Sequence, residues 1–154
     1  MRSKRAPKKI LLPDPKFNNL TISKFVNHVM ERGKKTVAQG IVYDMFEAIS
    51  RQTKKDPLDV FDLAIRNVTP LLEVKSRRIG GANYQIPMEV RGDRKMYLAM
   101  NWIIGAAKAK KGKPMSERLA EEITAAAENQ GDAIKKKEDV HRMAEANRAF
   151  AHFA

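Results

Sequence analysis

The sequence predicts a mainly α fold: a single six-helix domain with a protruding two-stranded β-hairpin and an extended basic N-terminal arm. Three observations carry this prediction. Apolar residues recur at three- and four-residue steps in six stretches, they alternate with polar residues on both sides of a Gly-Gly pair, and the first 18 residues combine three prolines with six cations. We assign residues 1–18 to the arm and 19–154 to the helical domain, with the hairpin at about 71–91.

The arm is predicted from what its residues lack. It has no helical apolar period, and its prolines disfavour helical backbone at the residues that precede them. Because few acidic residues dilute its positive charge, we expect it to stay extended and to order only on a partner. Its candidate nucleic-acid contacts are Arg2, Lys4, Arg5, Lys8 and Lys9. The alternative is a solvated tail without a partner.

The first three predicted helices lie within residues 20–33, 37–55 and 56–70. Each has an apolar stripe at helical spacing. Gly33 is expected to end the first helix, and Asp56 is expected to cap the third, whose first turn holds a proline. These three helices supply much of the predicted core.

The apolar period changes to two on either side of Gly80-Gly81. Residues 72–77 and 84–90 alternate between apolar and polar side chains, as the two strands of a hairpin do. Pro87 cannot donate an N–H to a neighbouring strand, so its strand should have a free edge. We therefore expect a ribbon that projects from the helical body, with Arg77-Arg78 near its tip.

The helical period returns in three further stretches, within residues 93–112, 114–131 and 132–151. Ser116 is a candidate cap of the fifth helix, and Asp132 of the sixth. Trp102, on the apolar face of the fourth helix, is expected to lie in the core rather than to bind a ligand.

Composition supports an intracellular domain that binds a polyanion. The chain has 154 residues, no cysteine and a formal net charge of +12. A chain of this length buries roughly 70% of its unfolded surface, so it needs neither a disulfide nor a thiolate zinc site. No apolar run approaches the roughly 20 residues of a membrane span or the about 7 to 15 of a secretory signal.

The excess charge is local. Residues 1–16 and 75–95 carry nine of the twelve excess positive charges, whereas the rest of the chain is nearly balanced. Such an excess attracts polyanions of high charge density, and nucleic acid is the leading partner class. Further cationic candidates stand at helix ends and in the 135–137 run, where Glu138 and Asp139 offer competing internal pairs. These candidates are Arg94, Lys95, Lys108, Lys110, Lys111, Lys113, Lys135, Lys136 and Lys137.

The segment KSRRIGGANYQ at 75–85 is the strongest candidate site. Arginine binds phosphate in bidentate fashion and stacks on bases, and glycines allow the close approach of a backbone, so the segment suits RNA. Its candidate contacts are Lys75, Arg77, Arg78, Gly80, Gly81, Asn83 and Tyr84. The alternative is an ordinary charged hairpin whose arginines keep an edge soluble. The alternation of Tyr84 favours packing at the hairpin root over stacking on a base.

Catalytic and metal motifs are missing from the sequence. The three histidines lack metal-binding spacing, and neighbouring side chains such as Glu121 and Glu122 diverge on a helix, so they make a poor carboxylate pair. Neither a GxGxxG nor a GxxxxGK[ST] loop is present. We therefore predict a noncatalytic protein without cofactor or metal.

Four segments carry a family resemblance: LPDPKF at 12–17, GKKTVAQGIVYD at 33–44, KSRRIGGANYQIPMEVR at 75–91 and KKKEDVHRMAEANRAFAHF at 135–153. The chain resembles the bacterial and organellar ribosomal protein S-seven family over nearly its whole length. The resemblance implies a primary binder of small-subunit ribosomal RNA whose docking starts assembly of the subunit head. It places the protein in the ribosome of the cytoplasm or of an organelle.

The resemblance also implies roles for particular residues. Lys34 and Lys35 would face ribosomal RNA, and the ribbon would reach toward messenger RNA and the exit-site transfer RNA. Arg142 and Arg148 match the last helix, which lies near that transfer RNA and the S-eleven neighbour; the S-nine family is a second expected neighbour. The 91–102 stretch departs from the family, which carries further arginines there, and the closing arginine of relatives is absent.

Two other functions stay open at this stage. A basic helical domain can also place a helix in the major groove of DNA, as a regulator does. An RNA-modifying enzyme would need a cofactor loop or a cluster of acid, base and nucleophile. The sequence favours a noncatalytic scaffold that presents cationic extensions to folded RNA.

Overall fold

The structure, a computed structural model, describes residues 10–153. It confirms the mainly α class with six helices and one hairpin. In chain order the elements are α1 (Leu20–Val29), α2 (Lys35–Thr53), α3 (Pro57–Val68), β1 (Leu72–Ile79), β2 (Ala82–Glu89), α4 (Asp93–Ala109), α5 (Met115–Ala127), α6 (Asp132–Ala146) and a 3₁₀ helix (Arg148–Phe153). The predicted arm contacts at Arg2, Lys4, Arg5, Lys8 and Lys9 lie outside the described residues.

The segment immediately before α1 is held against α2. Asp14 is buried, and its carboxylate accepts a hydrogen bond from the Tyr43 hydroxyl at 2.9 Å and further bonds from the backbone N–H groups of Lys16 and Phe17. The Phe17 ring lies 4.9 Å from that of Phe46, between centroids. These contacts attach the chain to the helical body before α1 begins, while the boundary of the arm stays a prediction.

Three phenylalanine rings join the first three helices. Phe46 of α2 meets Phe61 of α3 edge to face at 5.6 Å between centroids, and Phe25 of α1 meets Phe61 at 5.2 Å. All three side chains are buried. Edge-to-face pairs add about 0.5–1.5 kcal/mol beyond the burial of area. Trp102 is half-buried and packs against the same core, as predicted.

Helix α5 lies at the centre of the body, since it contacts α2, α3, α4 and α6. Its apolar face is fully buried at Leu119, Ile123 and Ala126. The small side chains of its last turn allow neighbouring helices to come close. Beside them, Asn67 of α3 donates from Nδ2 to the backbone carbonyl of Ala126 at 2.9 Å, which joins the ends of α3 and α5.

Glu122 of α5 is a fully buried charged residue that joins three helices. Its Oε1 accepts a hydrogen bond from the backbone N–H of Ala133 at 2.9 Å, and its Oε2 lies 2.7 Å from Nζ of Lys110. Lys110 follows the last residue of α4, and Ala133 lies in the first turn of α6. A Cβ at Gly131 would stand 2.8 Å from Oε1, and the backbone there has φ +96°. Glycine is therefore required where the chain turns into α6.

The predicted caps are partly confirmed. Asp56 caps α3, since its Oδ1 accepts the N–H of Leu58 at 2.9 Å. The caps predicted at Ser116 and Asp132 are wrong, because both residues already lie in the first turns of α5 and α6. At the start of α6, the buried carboxylate of Glu122 takes the place of a local side-chain cap.

Three helices end four or five residues earlier than the sequence predicts. Helix α6 ends at Ala146 rather than near residue 151, and the 3₁₀ helix follows it. Helix α1 ends at Val29 rather than Gly33, because Met30 leaves helical backbone with ψ 130° while its N–H still bonds Val26. Helix α5 ends at Ala127 rather than at residue 131, and the chain reverses through Asn129 at φ +57°. Asparagine tolerates this left-handed conformation better than most residues.

The ribbon consists of β1 and β2, an antiparallel pair whose register joins Leu72 to Glu89 and Ile79 to Ala82. The loop is the two residues Gly80-Gly81, both with positive φ, as the tight type I′ turn of a hairpin requires. The sheet has two strands in the part of the chain that the structure describes. Each strand thus has a free edge, as the position of Pro87 predicts.

The root of the ribbon is attached to α6. The backbone N–H of Leu71 donates to Nε2 of His141 at 3.1 Å, and the carbonyl of Leu71 accepts the N–H of Val90 at 3.0 Å. Nearby, Nζ of Lys137 donates to the carbonyl of Asn67 at 2.6 Å. Helix α6 therefore fixes the direction in which the ribbon leaves the body.

Within residues 10–153, no helix has both the length and the apolar character that a bilayer span requires.

The buried carboxylate predicts the effect of one substitution on stability. Glu122→Ala should lower the free energy of unfolding by roughly 3 kcal/mol, because Lys110 loses its counter-ion and the Ala133 N–H loses its acceptor. Urea unfolding of both proteins measures this loss. Glu121→Ala is the matched control. Because Glu121 pairs with Lys113 near the surface, this substitution should lower the free energy of unfolding much less. Equal losses in the two variants would show that Glu122 has no special role.

The anchor at His141 predicts a dependence on pH. Burial, and secondly the charge of Lys137, lower the pKa of His141 below its usual 6.5. The unfolded chain therefore binds more protons than the native protein just below about pH 6.5, so the free energy of unfolding falls as the pH drops toward the native pKa. Protonation would also remove the lone pair that accepts the Leu71 N–H.

The test compares the wild-type protein with His141→Gln by urea unfolding at about pH 7.5 and about pH 5.5. The wild type should lose more stability than the variant between these two values, because glutamine does not titrate. The same loss in both proteins would contradict the assignment to His141.

Candidate nucleic-acid interface

The tip of the ribbon presents its cations on one strand, β1, since β2 contains no lysine or arginine. By register Arg78 faces Asn83 and Arg77 faces Tyr84, one and two residue pairs away from the Ile79–Ala82 pair that flanks the Gly80-Gly81 turn. Arg77, Arg78 and Asn83 are exposed, as is the turn itself. The structure thus places these predicted site residues together at the end of the ribbon.

Tyr84 has a packing partner on the C-terminal 3₁₀ helix. Its ring lies 5.1 Å from that of Phe150, between centroids, and the side chain is half-buried. Packing is confirmed, but it takes place near the tip of the ribbon rather than at its root. The contact supports the outer half of the ribbon, so the arginines at the tip have a fixed base.

The cations at the root of the ribbon share one carboxylate. Glu73 of β1 is nearly buried; Lys75 Nζ lies 3.2 Å from its Oε1, and Arg94 donates from Nε and Nη2 to its Oε2 at 3.2 and 3.1 Å. Burial alone would raise the pKa of Glu73, but the hydrogen bonds from Lys75 and Arg94 outweigh it and lower the pKa below its usual value. Glu73 therefore stays ionised and ties the ribbon to the start of α4.

A second cationic surface lies at the start of α2. Lys34 and Lys35 are exposed, and among residues 10–153 no carboxylate lies within ion-pair distance of either ammonium group. The first turn of α2 has no acidic residue and no side-chain cap, so its N–H groups add to the local positive potential. Lys34 borders a cleft of about 560 Å³ between α2, the end of α4 and the start of α5.

Two arginines that the sequence analysis missed, Arg32 and Arg118, also line this cleft. Arg118 donates from Nη1 to the carbonyl of Lys110 at 2.5 Å, which places its guanidinium at the end of α4. Across the cleft Lys108 pairs with Glu31, whose pKa is lowered first by the hydrogen bond from that ammonium group. Tertiary packing places Arg118 in this cleft, so its position could not be predicted from the local sequence.

The cations between α4 and α5 differ in what they contact. Lys110 is turned toward Glu122, and Lys113 is paired with Glu121. Lys111 is exposed, with no carboxylate in ion-pair range among residues 10–153. Of these candidates, Lys110 has a clear structural role, since its partner is fully buried.

The candidates on α6 and in the 3₁₀ helix mostly pair with an acidic residue three positions earlier in the chain. Lys135 pairs with Asp132 at 3.3 Å, Arg142 with Asp139 at 3.5 Å and Arg148 with Glu145 at 3.3 Å. All these partners are more than half exposed, and such surface pairs are weak enough to exchange for a phosphate. Lys137 is directed inward to Asn67, whereas Lys136 is exposed.

An exposed aromatic residue near the start of α4 also escaped the sequence analysis. Tyr97 is 45% exposed, the Arg94 guanidinium lies 5.1 Å from its ring centroid, and the His28 ring meets it edge to face at 5.2 Å. Arg94 and Tyr97 are three residues apart on one helix, a spacing that the sequence does show. The contact of His28 from α1 with this ring is a tertiary contact, which cannot be predicted from the sequence.

The described residues contain no group of three or more histidine, aspartate or glutamate side chains placed to hold a metal ion. Glu121 and Glu122 diverge as predicted, one toward Lys113 at the surface and the other into the core. What the surface offers is a set of arginines and lysines held at the ends of rigid elements. Such an arrangement suits contact with the phosphates of a folded polyanion.

The chain is similar to known proteins over nearly its whole length. The chain matches the family described as ribosomal protein S7p/S5e over residues 1–148. The small ribosomal subunit protein uS7 of Thermotoga maritima is 60% identical over 153 residues, which are 99% of each chain. The proteins of the same name from Dechloromonas aromatica and Burkholderia cenocepacia are 56% and 57% identical over 152 residues, 99% of this chain and 97% of theirs.

The family match and these relatives span nearly the whole chain. The protein therefore belongs to the ribosomal protein S7p/S5e family, a family of structural components of the ribosome rather than enzymes.

Proposed function

We propose that this chain is a primary RNA-binding protein of the small ribosomal subunit, whose docking nucleates assembly of the subunit head. Family membership supports the ribosomal role. The observation that carries the RNA-binding role is the pair of cationic surfaces on one frame: the ribbon tip at Arg77 and Arg78, and the start of α2 at Lys34 and Lys35. Both surfaces are exposed, and rigid elements hold both.

The mechanism follows from how these surfaces are held. The ribbon is anchored by His141 at its root and by Phe150 near its tip, and α2 is held in the aromatic core through Phe46. Two RNA segments that bind one to each surface would be fixed in their relative positions. The protein would therefore favour the RNA fold that has this arrangement. Specificity would come from RNA shape, since side chains cannot easily enter the narrow major groove of A-form RNA.

We assign the ribbon tip to the messenger RNA and exit-site transfer RNA path, and the start of α2 to ribosomal RNA. The geometry supports such a division, because the ribbon tip and the start of α2 belong to separate elements of the fold. The exposed Arg142 and Arg148 stand near the same end as the ribbon, since the 3₁₀ helix packs on β2. They extend the proposed transfer RNA surface.

Neighbouring proteins of the S-nine and S-eleven families complete the proposed setting. One face of the molecule suits protein rather than RNA: Asp56, Asp59 and Glu128 line a cleft of about 410 Å³ beside Leu63, which is 47% exposed. Carboxylates repel phosphate but attract the cationic segments that RNA-binding proteins carry. This acidic cleft supports contact with a basic protein neighbour.

A DNA-binding regulator is the second candidate from the sequence. The structure places its exposed cations on a ribbon tip and at helix ends, and the exposed arginines lie near the tight Gly80-Gly81 turn. This distribution favours irregular RNA surfaces over a straight major groove. In direct competition, ribosomal RNA should therefore displace duplex DNA from the protein, and preference for the duplex would favour the regulator.

Phosphate contacts predict a steep dependence on salt. With about six to ten contacts, affinity for small-subunit ribosomal RNA should fall roughly 10³- to 10⁵-fold between about 50 and 200 mM monovalent salt. Filter binding over a salt series gives the slope of log affinity against log salt. A nearly flat slope would mean that phosphate contacts do not dominate binding.

The division of labour between the two surfaces predicts unequal effects of substitution. Arg77→Ala with Arg78→Ala should weaken exit-site transfer RNA binding by about tenfold or more, since charge-assisted contacts are lost, while head assembly continues. Transfer RNA binding and subunit reconstitution measure the two effects. Arg51→Ala with Lys54→Ala removes the same charge from exposed positions outside the proposed surfaces and is the matched control. If the ribbon variant impairs assembly as much as Lys34→Ala with Lys35→Ala does, the division is wrong.

A further inference from the structure

The cluster around Tyr97 is a second kind of surface beside the cationic ones. Tyr97, Arg94 and His28 border a cleft of about 500 Å³ between α1 and α4, and Lys24 of α1 lies on its rim. The cleft size falls within the range of small-ligand sites. None of the four side chains belongs to the phosphate contacts of the ribbon tip or of the start of α2.

The aromatic ring is held in place by two neighbouring side chains, Arg94 and His28. Arg94 lies over the ring and is itself held by its two hydrogen bonds to Glu73. His28 meets the ring edge to face, and its Nδ1 lies 3.1 Å from Oδ1 of Asn101, one helical turn beyond Tyr97. The ring therefore loses little freedom when a ligand binds, although nearly half of Tyr97 remains exposed.

Charge decides which ligand such a ring suits. The rim carries the ammonium of Lys24 and the guanidinium of Arg94, and the single carboxylate of the cleft, Asp93, lies 3.6 Å from Lys24 Nζ. Arg94 also belongs to one of the two segments that hold most of the excess positive charge of the chain. An aromatic ring between cations fits a nucleobase with its phosphates better than an apolar peptide.

We propose that Tyr97 is a stacking platform for an unpaired RNA base, with Arg94 holding the ring in place and Lys24 placed to meet the adjacent phosphate. This inference rests on the proposed RNA-binding function and adds a second mode of contact to it. A base has to leave a double helix to stack on the ring, so the site selects single-stranded or looped nucleotides. The site thus adds selection for looped RNA at the start of α4.

The test uses a small-subunit ribosomal RNA fragment with internal loops and a fully paired RNA duplex. Tyr97→Ala should weaken binding of the looped RNA by roughly 5- to 100-fold and leave the salt slope unchanged, because no charge is removed. Tyr97→Phe should bind like the wild type, and the duplex should bind all three proteins equally. Lys24→Gln should instead make the salt slope shallower by about one phosphate contact.

Leu63→Ala is the control for loss of an exposed side chain, since Leu63 is 47% exposed beside the acidic cleft. Urea unfolding shows whether each variant folds as the wild type does. Wild-type affinity for looped RNA in Tyr97→Ala would overturn the stacking site while leaving the proposed function intact. An equal loss on the duplex, or the same loss in Tyr97→Phe, would overturn it as well. Failure of the wild type to bind either RNA would overturn the proposed function.

Discussion

The structure depends on one constraint: a body of 154 residues with a net charge of +12 has to keep its cations available without losing its fold. Like charges destabilise a compact state through mutual repulsion. The molecule meets this constraint by using some cations internally. Lys110 is neutralised by the buried Glu122, Lys137 donates to a backbone carbonyl, and Lys75 and Arg94 share Glu73. Those cations stabilise the frame, and the ones at Lys34, Lys35 and Arg78 remain at its surface.

The internal contacts and the surface are linked because each internal contact orients an element that presents surface cations. Glu122 joins the end of α4 to the start of α6, and α6 in turn holds the root of the ribbon through His141. Glu73 joins the ribbon to the start of α4, where Arg94 also lies over Tyr97. The positions of the proposed RNA contacts on the ribbon and at the start of α4 are therefore determined by a series of polar contacts as well as by the apolar core.

Much of the fold could be predicted from the sequence because local signals determine it. Helical periodicity, the Asp56 cap and the Gly80-Gly81 turn each depend on residues close together in the chain, and the structure confirms all three. The predicted caps at Ser116 and Asp132 were wrong, and for Asp132 the reason is a partner that is distant in the sequence. The acceptor for the start of α6 is Glu122, which lies 11 residues before Ala133, and local patterns do not show such a partner.

The candidate site was less predictable than the fold. The sequence identified the cation-rich ribbon, but it could not separate Lys137, which contacts Asn67, from the exposed Lys136 beside it. Tyr97 was missed because its partner His28 lies on another helix, 69 positions earlier in the chain. In each of these cases the decisive contact joins residues that only the tertiary fold brings together.

Lysine footprinting of the protein with and without small-subunit ribosomal RNA tests the central claim most directly. Acetylation followed by mass spectrometry measures how far RNA shields each ammonium group. Lys34, Lys35 and Lys111 should be protected by the RNA, whereas Lys54 and Lys55 should react as they do in the free protein. Protection of Lys54 and Lys55 with continued reaction at Lys34 and Lys35 would contradict the proposed surface.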